Sequence, residues 1–218
     1  MVFHLKLAMK NILDALKWRY ATKKFDDTVL LSNDKVSTLC QSFNLTATSY
    51  GLQPISLVVI SDKELQKKLT QHSYNQKQVE QASHVLVICI NTTINAETIE
   101  DYFALVKQER NTPDEVLSPF KSFLIDTFDK MEESSITTWA TNQAYLALGT
   151  LLTACALEEV DACPMEGFNP KGYNEVLGLT EKGLSATLVL PVGKRANDDM
   201  FAGMKKVRKA EADIIYTV

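Results

Sequence analysis

Apolar positions along this chain fall into helical and strand-like patterns in turn. Leu5, Met9, Ile12, Leu13 and Leu16 recur at helical spacing with Lys6, Lys10, Asn11 and Asp14 between them, which predicts an amphipathic helix over 2–17. Ser32 is a candidate N-cap for a second helix, with Val36, Leu39, Cys40 and Phe43 at i, i+3, i+4 and i+7. The β-branched run 55–60 reads as a strand. Ser61 and Glu64 then fit a capping box opening a short helix with Leu65 and Leu69. HVLVICI over 84–90 is the clearest buried strand. Ile99, Tyr102, Phe103 and Val106 mark another helix. Phe120, Phe123, Leu124, Phe128 and Met131 mark the next, with breaks expected at Thr112-Pro113 and Ser118-Pro119. Segment 136–158 is apolar on nearly every side, which predicts a long helix buried all round and hence a subunit interface. Segment 184–192 reads as a buried strand and 213–218 as a candidate terminal one. Helices outnumber strands without regular alternation, and no repeat or linker divides the chain. One α+β domain over 1–218 is expected.

Composition narrows the function classes. With 218 residues, 45% of them hydrophobic, and a net charge of −4, the chain can bury a large core and is unlike a disordered sequence. The acidic balance argues against a general nucleic-acid partner. The longest apolar stretch, 144–157, contains Gly149, Thr150 and Thr153 and is too short to span a bilayer; His4, Lys6 and Lys10 interrupt any leader-like run. Cys40, Cys89, Cys155 and Cys163 form no CxxC or zinc-like pair and read as free thiols, so a cytoplasmic protein without a membrane partner is expected.

Several catalytic signatures are missing. The glycines form no GxG, there is no HExxH, and Gly183-Leu-Ser185-Ala-Thr187 lacks the closing glycine of GxSxG. His4, His72 and His84 are far apart, and none is expected to bind a metal. Two basic groups remain at opposite ends: Arg19-Tyr-Ala-Thr-Lys23-Lys24-Phe25 and Lys205-Lys206-Val-Arg208-Lys209. Each alone is compatible with a solvated face. Together they could hold a phosphorylated ligand, with each charge-assisted hydrogen bond contributing ~1.5–3 kcal/mol.

Arg19-x-x-x-Lys23-x-Phe25 resembles the opening signature of the FMN-dependent nitroreductase family. Thr48-Ser49-Tyr50-Gly51-Leu52-Gln53-Pro54 resembles its PSxxNxQPW-type loop, and Asn75-Gln-Lys-Gln78 with Ala82-Ser83-His84-Val85 its Nxx(K/Q)…ASHxxV segment. Pro164-Met165-Glu166-Gly167-Phe168 resembles its PxEGF loop and Lys206-x-Arg208 its C-terminal KxR pair. No element is strongly specific alone, but the ordered set is, and it is most similar to the oxygen-insensitive NAD(P)H nitroreductase and dihydropteridine reductase-like branch. The resemblance implies an intertwined α+β homodimer with a central, mostly antiparallel sheet flanked by helices. It implies FMN at each subunit interface, and NAD(P)H as donor in ping-pong hydride transfer through flavin N5 to nitroaromatic, quinone or similar acceptors. Arg19, Lys206 and Arg208 would meet the FMN phosphate, with Tyr20 and Ala21 alongside. Lys23, Asn75 and Gln78 would meet the ribityl chain and pyrimidine edge. Pro164, Met165, Glu166 and Gly167 would contribute main-chain contacts, Thr48, Ser49, Tyr50 and Gly51 would come from the partner subunit, and Gln53 would be a further cofactor contact. No side chain is expected to be catalytic.

The chain also departs from the family pattern. Gln78 stands where a second Lys is usual, Ala21 where Ser is usual, and Gly51 where Asn is usual; Tyr50 and Ile55 alter the pocket wall. Tyr50, Phe123 and Leu124 are the expected substrate-pocket residues. Pteridine or flavin reduction on the same scaffold and non-catalytic FMN binding remain as alternatives.

Overall fold

The computed structural model describes residues 11–218. Leu5, Lys6, Met9 and Lys10 of the expected first helix lie outside the described residues, as does His4. Within them, α1 (Ile12–Trp18) starts where the Asn11 side chain accepts a hydrogen bond from the Leu13 amide.

A four-stranded sheet organises the chain: β1 (Ile55–Ile60), β2 (His84–Asn91), β3 (Asp161–Ala162) and β4 (Leu184–Gly193), in the order β1-β2-β4-β3, with every neighbouring pair antiparallel. Both faces are covered. Leu86, Ile88 and Ile90 of β2 enter one core, and Val85, Val87 and Cys89 the other. This explains why β2 reads as a continuous apolar run. Opposite Ile88 and Cys89, β4 is shifted by one residue at Thr187. The shift exchanges its faces: Ala186 joins the second core, while Leu188, Leu190 and Val192 join the first.

The first core is closed by α2 (Asn33–Asn44), α5 (Ala96–Arg110), α6 (Asp114–Asp129) and α7 (Glu133–Leu157), through Leu39, Ile99, Phe128 and Leu151 among others. The second is closed by α3 (Lys63–Gln71), α4 (Gln78–Gln81) and α8 (Pro170–Leu177), through Leu69, Val79 and Tyr173.

Four expectations change. The α3 cap is Asp62, whose carboxylate accepts the Leu65 amide at 2.7 Å, so the Ser61–Glu64 box does not form. Pro119 lies inside α6, where it removes one backbone donor without ending the helix. Helix α7 is buried on one side only: Ala140, Ala144, Leu151 and Cys155 face inward, whereas Tyr145 and Leu146 are about half exposed. Segment 213–218 forms no strand; a 3₁₀ turn covers Glu211–Asp213, and residues 200–218 are exposed throughout. Among the described residues no helix is long and apolar enough to cross a membrane.

Candidate functional site

Helix α1 ends at Arg19, whose amide closes the last turn on Ala15 O at 3.1 Å. The chain then runs extended beside β3, with Ala21 bridging Ala162 and Phe25 bridging Arg195. Two carboxylates fix this strip. Asp161 is buried and receives the Arg195 side chain at 2.6 Å and the Arg195 amide at 2.8 Å. The same guanidinium lies 4.3 Å over the Trp18 ring and 4.6 Å over the Tyr20 ring. Burial pushes the Asp161 pKa up, and contacts with Arg195 offset only part of that rise. Asp199 accepts the Tyr20 hydroxyl at 3.0 Å, the Lys23 amide at 2.9 Å, the Lys24 amide at 3.2 Å and the Phe201 amide at 3.0 Å.

Above this base three cations converge. Lys206 Nζ donates to the Arg19 carbonyl, and a cleft of about 410 Å³ is lined by Arg19, Tyr20, Ala21, Lys23, Lys206 and Arg208. The Arg19 pKa is lowered by burial and by Arg208; that of Lys206 is lowered by burial and by Arg19 and Arg208. Among the described residues no carboxylate pairs with any of the three. Mutually repelling cations around a cleft suit an anion carrying more than one charge.

Beside them, Lys23 Nζ lies 3.7 Å from Cys163 Sγ, and Gln78 Nε2 approaches the same sulfur at 4.0 Å. Burial raises the Cys163 pKa, and Lys23 partly counters it. Gln78 also donates to Gln76 Oε1 at 3.0 Å, and Gln76 Nε2 to Gly167 O at 2.7 Å, which ties the 75–78 segment to the 164–167 loop. Asn75 is exposed, and both it and Tyr74 have positive φ, of 57° and 52°. Pro164 is half-buried, and Met165 exchanges two backbone hydrogen bonds with Val189. Glu166 and Gly167 are exposed, and their amides donate to no described group. The Tyr145 hydroxyl reaches Glu166 Oε1 at 2.8 Å.

The Thr48–Gln53 loop lies elsewhere. Ser49 donates its amide to Gln143 Oε1 at 2.8 Å, and the Tyr50 ring stacks on Trp139 at 6.3 Å, while Gln53 donates to Thr48 and Asn44. Arg19 sits by Cys155, near the C-terminal end of α7, whereas Gln143 lies at the middle of that helix. Gln143 and Cys155 are twelve positions apart on α7, and at about 1.5 Å per residue the separation is about 18 Å along the helix. Of the expected pocket residues, Tyr50 and Phe123 are partly exposed, but Leu124 is fully buried in the first core and forms no pocket wall. It packs inward with the first core, one position from exposed Phe123.

Asp161, Arg195 and Asp199 escaped the sequence reading. Each is an ordinary charged residue whose partners lie tens to hundreds of positions away; the Asn-Asp-Asp run over 197–199 was the one local sign of a turn.

A sequence model described as "Nitroreductase family" matches residues 16–194. A Staphylococcus epidermidis protein named "Putative NAD(P)H nitroreductase" is 33% identical over 216 residues, covering 94% of this chain and 96% of its own length. Two solved structures share the fold. A nitroreductase-like protein from Streptococcus mutans has a TM-score of 0.82 at 23% identity, covering 94% of this chain and 97% of its own. A protein from Exiguobacterium sibiricum, described as a "putative nitroreductase in complex with FMN", has a TM-score of 0.82 at 20% identity, covering 96% and 98%. With a family model covering most of its length and a near full-length relative, this chain belongs to the nitroreductase family.

Proposed function

We propose that this chain is an FMN-dependent NAD(P)H oxidoreductase acting on nitroaromatic, quinone or similar acceptors, with residues 1–218 forming one FMN-binding domain. The observation that carries the reading is the meeting of Arg19, Lys206 and Arg208 around one cleft, with no carboxylate partner among the described residues and with Lys23 and Gln78 beside them. The donor set fits the group: three cations for a phosphate, an ammonium and two amides for a pyrimidine edge, and two unspent main-chain amides at Glu166 and Gly167.

In this reading Arg19, Lys206 and Arg208 hold the phosphate, with Tyr20 and Ala21 as the wall beneath it. Lys23, Asn75 and Gln78 face the pyrimidine edge, and the loop Pro164, Met165, Glu166 and Gly167 supplies main-chain contact. When bound, FMN supplies hydride transfer between NAD(P)H and the acceptor. Lys23 contributes a positive charge already in place, which stabilises negative charge developing nearby without reorganisation. No protein nucleophile is required.

The chain would act as a homodimer. Its own Thr48, Ser49, Tyr50 and Gly51 lie against the middle of α7, about 18 Å along the helix from Arg19's neighbour Cys155, so they would serve the partner's site. The half-exposed apolar face of α7 and the exposed Ile214, Ile215 and Tyr216 would be covered by a second copy.

A visible spectrum of desalted protein, before and after anaerobic NADPH, tests the reading. A flavin band that bleaches, followed by turnover with an added quinone or nitroaromatic, is expected. A band that persists would favour non-catalytic binding, and no band after FMN is added back would remove the phosphate-site assignment.

A further inference from the structure

We propose that Asp199 is the positioning residue that assembles the anion cleft: without touching the ligand, it holds the 19–24 strip and the 199–208 segment in the arrangement that brings Arg19, Lys206 and Arg208 together. The inference rests on the FMN reading of the cleft.

Asp199 is 5% exposed although it stands in a surface turn. Its Oδ2 accepts the Tyr20 hydroxyl and the Lys23 and Lys24 amides, and its Oδ1 accepts the Phe201 amide. Three donors converge on Oδ2 and one reaches Oδ1. A carboxylate accepts hydrogen bonds and donates none, so it offers an anionic ligand no contact and acts through what it holds. Three of the donors belong to the strip that begins at Arg19, and the fourth to the segment that leads to Lys206 and Arg208. The segments run side by side just before this point: Asp26 donates its amide to Lys194 O at 2.8 Å and Ala196 to Lys24 O at 2.9 Å. Beyond Ala196 the chain turns, with Asp199 N bonded to Ala196 O at 3.1 Å and Ala202 N to Asp199 O at 3.0 Å. Past that turn the one described hydrogen bond from the basic segment back to the strip is Lys206 Nζ to the Arg19 carbonyl. In the turn itself the Lys24 side chain also pairs with Asp198, but that pair is solvent-exposed, so the buried Asp199 carboxylate is the main clamp between the two halves of the cleft.

The sign of the expected effect separates positioning from simple electrostatics. A negative charge close to an anion site opposes the anion, so Asp199→Asn, judged on charge alone, would tighten phosphate binding. A positioning role requires the opposite, because an amide presents one acceptor where a carboxylate presents two and turns an N–H toward donors. FMN and riboflavin dissociation constants, read by flavin fluorescence, give the test, since riboflavin lacks the phosphate. Asp199→Asn in the full-length protein should weaken FMN by about tenfold or more, the equivalent of one lost charge-assisted contact, with riboflavin changed about twofold or less. Tyr20→Phe removes one of the four donors and should give a smaller loss of the same kind. Tighter or unchanged FMN binding in Asp199→Asn would overturn the proposal. Equal losses for FMN and riboflavin would also overturn it, because they would mark a general structural role; if Asp199→Asn does not fold, the same comparison on Tyr20→Phe decides. Failure of the wild-type protein to bind FMN would instead remove the underlying reading.

Discussion

The Lys23 ammonium lies 3.7 Å from the Cys163 sulfur, and Gln78 Nε2 approaches that sulfur from another direction at 4.0 Å. A buried thiol thus lies between a charged and a neutral donor, and the charge on this edge of the cleft comes from Lys23 alone. Gln78→Lys would place a second ammonium here. If the edge faces the flavin, the variant should raise the flavin potential by about 30 mV or more, the two-electron equivalent of ~1.4 kcal/mol. Anaerobic redox titration against a reference dye measures it. A variant that binds FMN normally and shows no rise would place Gln78 away from the flavin.

Asp199 also gives the fold a signed pH dependence. Burial pushes its pKa up, but hydrogen bonds from the Phe201, Lys23 and Lys24 amides and from Tyr20 outweigh it and hold the group below its ordinary 3.8. The folded state therefore binds this proton less readily than the unfolded chain. Its contribution is complete above about pH 4 and is lost as pH falls through the lowered pKa. Asp161 has the opposite sign: its raised pKa means that protonation at low pH relieves a burial cost. The melting-temperature gap between wild type and Asp199→Asn should be widest near neutrality and close below about pH 4. A gap that stays constant down to pH 3 would show that the carboxylate's charge is not what holds the turn.

Phe123 and Leu124 are adjacent in sequence yet differ in fate. Leu124 is fully buried, while Phe123 is 55% exposed and stacks on Phe120 at 6.2 Å. Leu124→Ala should cost about 2–5 kcal/mol of stability by leaving a core cavity. Phe123→Ala should stay within about 0.5 kcal/mol and shift the KM for an aromatic acceptor. Urea unfolding combined with steady-state kinetics distinguishes them. A large stability loss for Phe123→Ala would place it in the core instead.

What the sequence disclosed follows from how local each signal is. Strands β2 and β4 were legible because both sheet faces are covered there, leaving runs such as 85–90 without a polar break, whereas β1, partly exposed along most of its length, was legible from its β-branched run. Helix α8 was missed although Asn169, Pro170 and Gly178 are its cap, first-turn and terminating residues; eight residues with a short apolar stripe give little periodicity. The two-residue β3 has none. Pro119 looked like a break, but the surrounding apolar stripe on α6 outweighs one missing donor. Arg19, Tyr20, Ala21, Lys23, Lys206 and Arg208, drawn from two motifs at opposite ends of the chain, line one cleft together with Phe201 and Met204, which no motif marked. The clamp that shapes it could not be read, because Asp199 and Tyr20 are 179 positions apart and only the fold brings them together.

Gly51 shows the same dependence on distant context. Its φ is +75°, and a Cβ built there would lie 2.4 Å from Tyr102 Oη and 3.1 Å from Tyr102 Cζ. The Tyr102 ring packs edge-on against Phe103 at 5.4 Å, so it does not swing away without losing that contact. Asn tolerates the left-handed region better than most residues, so the collision dominates over backbone strain in Gly51→Asn. That variant should lose about 1–2 kcal/mol, and Tyr102→Ala in the same chain should return a large part of it, a coupling of about 1 kcal/mol in a double-mutant cycle. Urea denaturation of the four proteins gives the coupling. Additive losses would mean that backbone strain at Gly51, not Tyr102, keeps a side chain out of this loop.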